Sequence, residues 1–484
     1  MNTDYNPFYK GFFQHRTTIA GLSARVTFLM LCVCLAVMGC DSDLEPKTQP
    51  DDTLPPAPIN EPPSTPPANG EVLFTFQLGT NSISLTEGAG QIDVPISVSR
   101  SGAGESTLSL SVDNNGINGI PGLFAQFTDG TLSTDESQST LQVSVAISRR
   151  PISQQTYELT VIAEDSSGQR QTEQLSVQVS PTNLPDVYLL IGQSNMVGIS
   201  EPGSKQSQIG QLDAPNDRIL QLNVTGNDAG NFQVADDFTN PAKLYNNSEP
   251  LTPAIDPLHD GYEGDSGKSG DRIGLGLTFA KSALRDTSAS IYLVPAAWSG
   301  TGFCSQEDQD LIGLAWNAIP NSDPSQQGTL LYKRALARVN KTLELTNGVL
   351  RGILWHQGEA DSTDPSCADS YADNLAELIS ELRTNIAIDA RGPSARGENA
   401  DIPFIAGTMS MGGNLSVFSE TKRKVDTAHR EIGVNTPYAD FVTADDLVPP
   451  AFPCGGGSCI HFGASAYREL GRRYYEQLVL VVSQ

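Results

Sequence analysis

Over residues 71–181, apolar and polar positions alternate in short runs, such as Ile92-Asp93-Val94-Pro95-Ile96-Ser97-Val98, Leu141-Gln142-Val143-Ser144-Val145 and Tyr157-Glu158-Leu159-Thr160-Val161. A period of two, with Gly- and Asp-rich turns between the runs, predicts half-buried strands arranged as an all-β immunoglobulin-like sandwich. After Pro185 the pattern changes. Residues 187–191, 290–294, 349–355 and 402–406 are largely continuous apolar runs, as parallel strands covered on both faces require. Between them Leu331, Ala335, Val339 and Leu343 step by four, and Tyr371, Leu375, Leu378 and Leu382 keep one helical face apolar. Strands alternating with amphipathic helices predict an α/β domain over residues 185–484, with a parallel sheet in three layers. Ligands of such sheets bind outside the carboxyl ends of the strands.

Residues 1–70 follow neither pattern. Lys10, Arg16 and Arg25 precede an apolar run at 26–38, too short for a comfortable bilayer span but suited to the hydrophobic region of a signal peptide. It ends in Val37-Met38-Gly39-Cys40, which resembles a bacterial lipobox. Residues 1–39 are therefore expected to be a lipoprotein signal peptide, with Cys40 the lipidated residue. That reading places the protein in the cell envelope, held to a membrane only through its N-terminal acyl chains. Residues 40–70, rich in Pro, Asp, Thr and Ser, are expected to form a disordered tether.

The 56 acidic and 30 basic side chains give a net charge of −26, which repels nucleic acid and anionic lipid and excludes both as partners. Of the seven cysteines, Cys32 and Cys34 leave with the leader and Cys40 carries the lipid, so four remain. An even number in an exported chain suggests two disulfides. Only Gly-Gly-Gly-Ser separates Cys454 from Cys459, so these two are expected to pair, leaving Cys304 with Cys367. A zinc site competes with that reading, but no matching histidine pattern surrounds the cysteines, and no metal is expected. Glu164 and Asp165, at the end of a strand-like run, read as solvated turn carboxylates rather than a calcium site, because a full ligand set is not visible.

Three segments carry chemistry. Gly192-Gln193-Ser194-Asn195-Met196 follows the first apolar strand, Trp355-His356-Gln357-Gly358-Glu359-Ala360-Asp361 ends the third, and Cys459-Ile460-His461-Phe462 precedes the last helical pattern. They offer a hydroxyl, a carboxylate and an imidazole, and a serine hydroxyl attacks well only when a base takes its proton. Taken singly, each segment reads as an ordinary turn or helix start. Together with Ile273-Gly274-Leu275-Gly276, Ser299-Gly300-Thr301 and the segment from Tyr467 to Arg473, their order resembles the sialate O-acetylesterase-like branch of the SGNH hydrolases, which includes acetylxylan esterases. The resemblance spans about residues 185–484.

That resemblance implies an SGNH-type esterase needing no cofactor, acting on O-acetylated carbohydrate such as xylan, other plant or algal polysaccharides, or sialic acid. It makes Ser194 the nucleophile and His461 the base. It places the Ser194 N–H, the N–H of Gly276 or Gly274 and the Gln357 side chain around the oxyanion, with Gln193 and Asn195 beside them. Many SGNH enzymes carry an aspartate three residues before the histidine, where this chain has Ser458. Glu359 is then the expected orienter, with Asp445 or Asp446 as substitutes. His356 is expected to be structural, and His259 and His429 receive no role. Two other readings stand beside this one: a carbohydrate-binding surface protein with a weakly active or inactive esterase-like domain, and a serine hydrolase of lipids or peptides.

Overall fold

The computed structural model describes residues 74–101, 106–113, 122–149, 153–198, 212–224, 244–259, 273–304, 314–320, 322–323, 326–387, 402–410, 418–447 and 460–483. The expected leader, Cys40, the tether, and Cys454, Ser458 and Cys459 lie outside these residues. Among the described residues no helix is long and apolar enough to cross a membrane.

The N-terminal strands are β1 (Phe74–Leu78), β2 (Ser82–Thr86), β3 (Gln91–Arg100), β4 (Leu108–Asp113), β5 (Leu123–Phe127), β6 (Thr131–Leu132), β7 (Gln138–Val145), β8 (Gln155–Asp165) and β9 (Arg170–Ser180). They form two sheets, in the orders β1-β3-β7-β5 and β2-β9-β8-β4-β6. The period-two pattern builds them: Val94, Ile96 and Val98 of β3 are buried while Asp93, Pro95 and Ser97 face solvent. Inward residues from both sheets, among them Val143, Leu159, Val161 and Val177, share one core. At the end of β8, Asp165 Oδ1 accepts N–H groups from Ser167 at 2.8 Å and Gln169 at 2.9 Å. This carboxylate caps its own turn, as Asx geometry favours, and Glu164 is exposed.

The following elements are β10 (Asp186–Gly192), α1 (Ser194–Val197), β11 (Ile219–Leu222), β12 (Leu251–Pro253), α2 (Gly276–Ala283), β13 (Ile291–Pro295), α3 (Leu330–Thr346), β14 (Val349–His356), α4 (Pro365–Asn385), β15 (Phe404–Gly407), α5 (Glu420–Arg430), β16 (Ala439–Val442) and α6 (Ala464–Val481). The strands make one sheet in the order β12-β11-β13-β10-β14-β15-β16. Neighbours pair in parallel, except the edge strand β12, which runs antiparallel to β11. Strands β11, β12 and β16 were not expected. At three or four residues each, with intermediate or exposed positions among them, they lack the continuous apolar run that marks the equally short, fully buried β15.

Every residue of β10 is buried. Successive side chains leave a strand on opposite faces, so Val187, Leu189 and Ile191 pack with α3 and α4 while Tyr188 and Leu190 pack with α2 and α6. Each such side chain contributes about 1.5–3 kcal/mol by leaving water. Helix α4 starts where Asp364 accepts N–H groups from Ser366 and Cys367 and Pro365 takes the first helical position, a capped start with no donor wasted. Strand β10 lies between β13 and β14, and the chain visits β11 and β13 on one side before crossing to β14 on the other. The crevice at such a reversal opens at the carboxyl ends of the strands.

The sandwich meets the opposite, amino end of these strands. Buried Arg351 of β14 donates from Nε to Asp186 Oδ1 at 2.7 Å and from Nη1 to the Ser148 carbonyl. Arg149 donates to the Leu350 carbonyl at 2.8 Å. Glu87, also buried, accepts the Ser148 and Thr182 N–H groups at 3.0 Å each. Burial raises the Glu87 pKa above its ordinary value, opposed chiefly by the Arg351 charge.

Candidate active site

Strand β10 ends at Gly192 with φ of 132°. A Cβ there would lie 2.2 Å from the His356 carbonyl oxygen, so only glycine lets the chain turn this close to β14. Ser194 then opens α1, whose single turn is closed by Gly198 in the left-handed region. Ser194 Oγ and His461 Nε2 are 3.0 Å apart although 267 residues separate them in sequence. Ser194 is buried to 3 % exposure, and His461 is partly exposed.

Asn195 is fully buried. Its Nδ2 donates to Glu359 Oε1 at 2.6 Å and to the Ile460 carbonyl at 2.8 Å, and its Oδ1 accepts from the Tyr467 hydroxyl at 2.9 Å. One amide thus ties the Ser194 turn, the Glu359 loop and the residue before His461. Expected beside the oxyanion or substrate, Asn195 has both amide hydrogens committed within the protein. Glu359 is buried, and its Oε2 has no hydrogen-bond partner among the described residues. Burial raises its pKa above the usual carboxylate range, opposed by the Asn195 hydrogen bond and the Lys422 charge.

Gln357 is also fully buried. Its Nε2 faces Asp361 Oδ2 at 2.7 Å, Gln193 Oε1 at 3.1 Å and the Thr301 carbonyl at 3.1 Å, and its Oε1 accepts from the Tyr371 hydroxyl at 2.9 Å. The expected oxyanion donor therefore has its two amide hydrogens directed at protein acceptors. Gln193 Oε1 additionally accepts the Ala360 N–H at 3.2 Å and the Gly358 N–H at 3.5 Å, while its Nε2 lies 3.5 Å from Ser194 Oγ.

Of the two expected oxyanion glycines, Gly274 donates its N–H to Asp256 Oδ1 at 3.3 Å. Gly276 opens α2 where a Cβ would come within 2.5 Å of Leu190 and 2.6 Å of Leu258, so it allows α2 to pack on β10. Burial pushes the Asp256 pKa up to about 7. Asp445 and Asp446, the substitutes for Glu359, pair instead with Arg430 at 2.6 Å and Arg473 at 2.7 Å.

Cys304 and Cys367 form a disulfide that fastens the loop after β13 to the start of α4. Asp361 beside it accepts the Phe303 and Cys304 N–H groups at 3.0 Å, and burial pushes its pKa up to about 6. Among the described residues these three form the group close enough to hold a metal, but the two sulfurs are bonded to each other.

Sequence reasoning missed Tyr371, Tyr467 and His429. The Tyr371 hydroxyl meets His429 Nε2 at 2.8 Å and accepts from Trp355 Nε1 at 3.2 Å. Burial, the largest effect, holds His429 and His356 at about 3, well below the usual imidazole value. Both stay neutral in the ordinary pH range. The tyrosines sit at apolar positions of helical patterns, where nothing in the periodicity separates a tyrosine used for its ring from one used for its hydroxyl. His356 Nδ1 meets the Tyr474 hydroxyl at 3.0 Å behind the site.

A family model described as SASA, carbohydrate esterase, sialic acid-specific acetylesterase, matches residues 185–480. A "Probable carbohydrate esterase" of Arabidopsis thaliana is 30% identical over 209 residues, covering 39% of this chain and 71% of the relative. The X-ray structure of a protein from Arabidopsis thaliana covers 61% of this chain and 98% of that one, at 23% identity and a TM-score of 0.42. The crystal structure of NanS covers 61% and 96%, at 17% identity and a TM-score of 0.41. The chain belongs to the carbohydrate esterase family of sialic acid-specific acetylesterases.

Proposed function

We propose that this chain is an SGNH-type carbohydrate O-acetylesterase that works through an acetyl-enzyme on Ser194. The observation that carries the reading is the 3.0 Å contact between Ser194 Oγ and His461 Nε2 at the carboxyl end of the central strand. Ser194 Oγ attacks the ester carbonyl carbon, its proton passes to His461 Nε2, and the carbonyl electron pair moves to the oxygen. As the tetrahedral adduct collapses, the bond to the sugar oxygen breaks and His461 returns the proton to that oxygen. Water then repeats the sequence on the acetyl-enzyme, releasing acetate and restoring the serine. The Ser194 backbone N–H is the donor proposed for the oxyanion.

Glu359 acts as the acid that steadies His461. Asn195 Nδ2 ties its Oε1 to the carbonyl of Ile460, the residue before the histidine, and through that tie Glu359 would hold the His461 loop in place. The substrates proposed are O-acetylated xylan, other plant or algal polysaccharides, or O-acetylated sialic acid, met at the cell envelope by a protein lipidated at Cys40. Acetate release from a panel of these glycans, with Ser194→Ala and Glu359→Gln alongside, tests the reading. Release abolished in the first variant and sharply reduced in the second is expected. Undiminished release by Ser194→Ala would refute it.

A further inference from the structure

We infer that Gln193 supplies the side-chain N–H of the oxyanion hole, and that Gln357 and Tyr371 are positioning residues that fix the direction of its amide. The inference rests on the esterase reading above. Which end of an amide is nitrogen is decided by its partners, and here they are unambiguous. Backbone N–H groups of Ala360 and Gly358 only donate, and both point at one end of the Gln193 amide. That end is the oxygen. The other end is therefore Nε2, and it is the end 3.5 Å from Ser194 Oγ. In the resting enzyme this contact is long for a hydrogen bond. In the tetrahedral adduct the oxyanion and Ser194 Oγ share one carbon, so a donor beside Oγ is beside the oxyanion, and a donor that engages mainly then lowers the barrier rather than binding the substrate.

Gln357 is placed differently. Two amide hydrogens face three acceptors, Asp361 Oδ2, Gln193 Oε1 and the Thr301 carbonyl, so it has no spare donor. What it does is hold Gln193 Oε1. Its own orientation is set from behind by Tyr371, whose hydroxyl faces Gln357 Oε1 and accepts from Trp355 Nε1. The same hydroxyl lies 3.1 Å from the Gln357 carbonyl and 2.8 Å from His429 Nε2, so it is held against Gln357 from several sides. The buried chain therefore runs from Tyr371 through Gln357 to Gln193 and ends at the nucleophile.

Gln193→Glu in the full chain is the decisive variant. It keeps the shape and an acceptor for Ala360, Gly358 and Gln357 and puts a carboxyl oxygen where the donor faced Ser194; Gln193→Met, which removes the donor without adding a charge, is run beside it and must show the same loss. With p-nitrophenyl acetate as probe, kcat is expected to fall by about 100- to 1,000-fold with KM nearly unchanged, the loss typical of removing one oxyanion donor. Tyr371→Phe, which removes one hydrogen bond to Gln357, is expected to lower kcat about tenfold. Introduced into Gln193→Glu, it should lower kcat no further, because the group it positions is gone. A kcat for Gln193→Glu within about threefold of the parent, far from an oxyanion-donor loss, would overturn the inference. So would a full Tyr371→Phe effect in both backgrounds, which marks a general structural role. Hydrolysis that persists in Ser194→Ala would overturn the esterase reading with it, and that control tells the two failures apart.

Discussion

Arg351→Met removes the more deeply buried of the two arginines, Arg351 and Arg149, that join the sandwich to the central sheet. Asp186 and Glu87 are both at or below 3 % exposure, and without the guanidinium Asp186 loses its ion-pair partner and Glu87 the charge that opposes its burial. Breaking a buried pair in this way costs about 3–5 kcal/mol, because the surviving charge stays desolvated. The pH dependence follows from the direction of the shifts. Burial already raises Glu87, and Arg351 opposes it. Removing Arg351 raises it further. A carboxyl whose folded pKa lies above its unfolded one stabilises the fold below the unfolded value and loses that contribution as pH rises through the folded value. The variant should therefore be most destabilised near pH 8 and recover part of the loss near pH 4. Urea unfolding followed by tryptophan fluorescence measures this, since Trp298, Trp316 and Trp355 are the only tryptophans and all are buried against the central sheet. A loss below about 1 kcal/mol at pH 8, the range of an exposed ion pair, would refute the reasoning. The same contacts predict that residues 185–484 produced alone unfold at lower urea than the full chain.

Asp256→Asn should stabilise the protein by about 3 kcal/mol more at pH 9 than at pH 5. Wild-type Asp256, raised to about 7, is protonated at the lower pH and must be charged in a buried place at the higher one; equal changes at both pH values in denaturation midpoints would contradict this. Replacing Cys304 and Cys367 together by serine opens a link across 63 residues and should lower stability by up to about 4 kcal/mol, measured by urea unfolding with and without reductant on the parent chain. Gly192→Ala should abolish esterase activity and lower the melting temperature, because its Cβ meets backbone at 2.2 Å and no side-chain motion relieves that.

The long elements were legible because burial writes itself into sequence as periodicity. Strand β10 is buried throughout and reads as a continuous apolar run, while β3 is buried at every second residue and alternates. Strand β12 escaped because three partly exposed residues at an edge carry no period. The pair of Ser194 and His461 was legible from motif order, since each motif marks the end of a strand or the start of a helix. The directions of the flanking amides were not. Gln193, Asn195 and Gln357 are the same in any reading of the sequence, and only their partners show which one has a donor facing the nucleophile.

The separation of 267 positions between Ser194 and His461 also sets an order of events. A chain made from its N-terminus presents Ser194 long before His461, its partner in the proposed mechanism, exists, and domains tend to fold as their residues become available. The site is finished only when α6, which shares a core with Tyr188 and Leu190 of β10, docks on the sheet and brings His461 across. Catalytic competence is therefore a late event of folding, so a chain that ends early can carry a well-packed β10 and an intact Ser194 and still be inert.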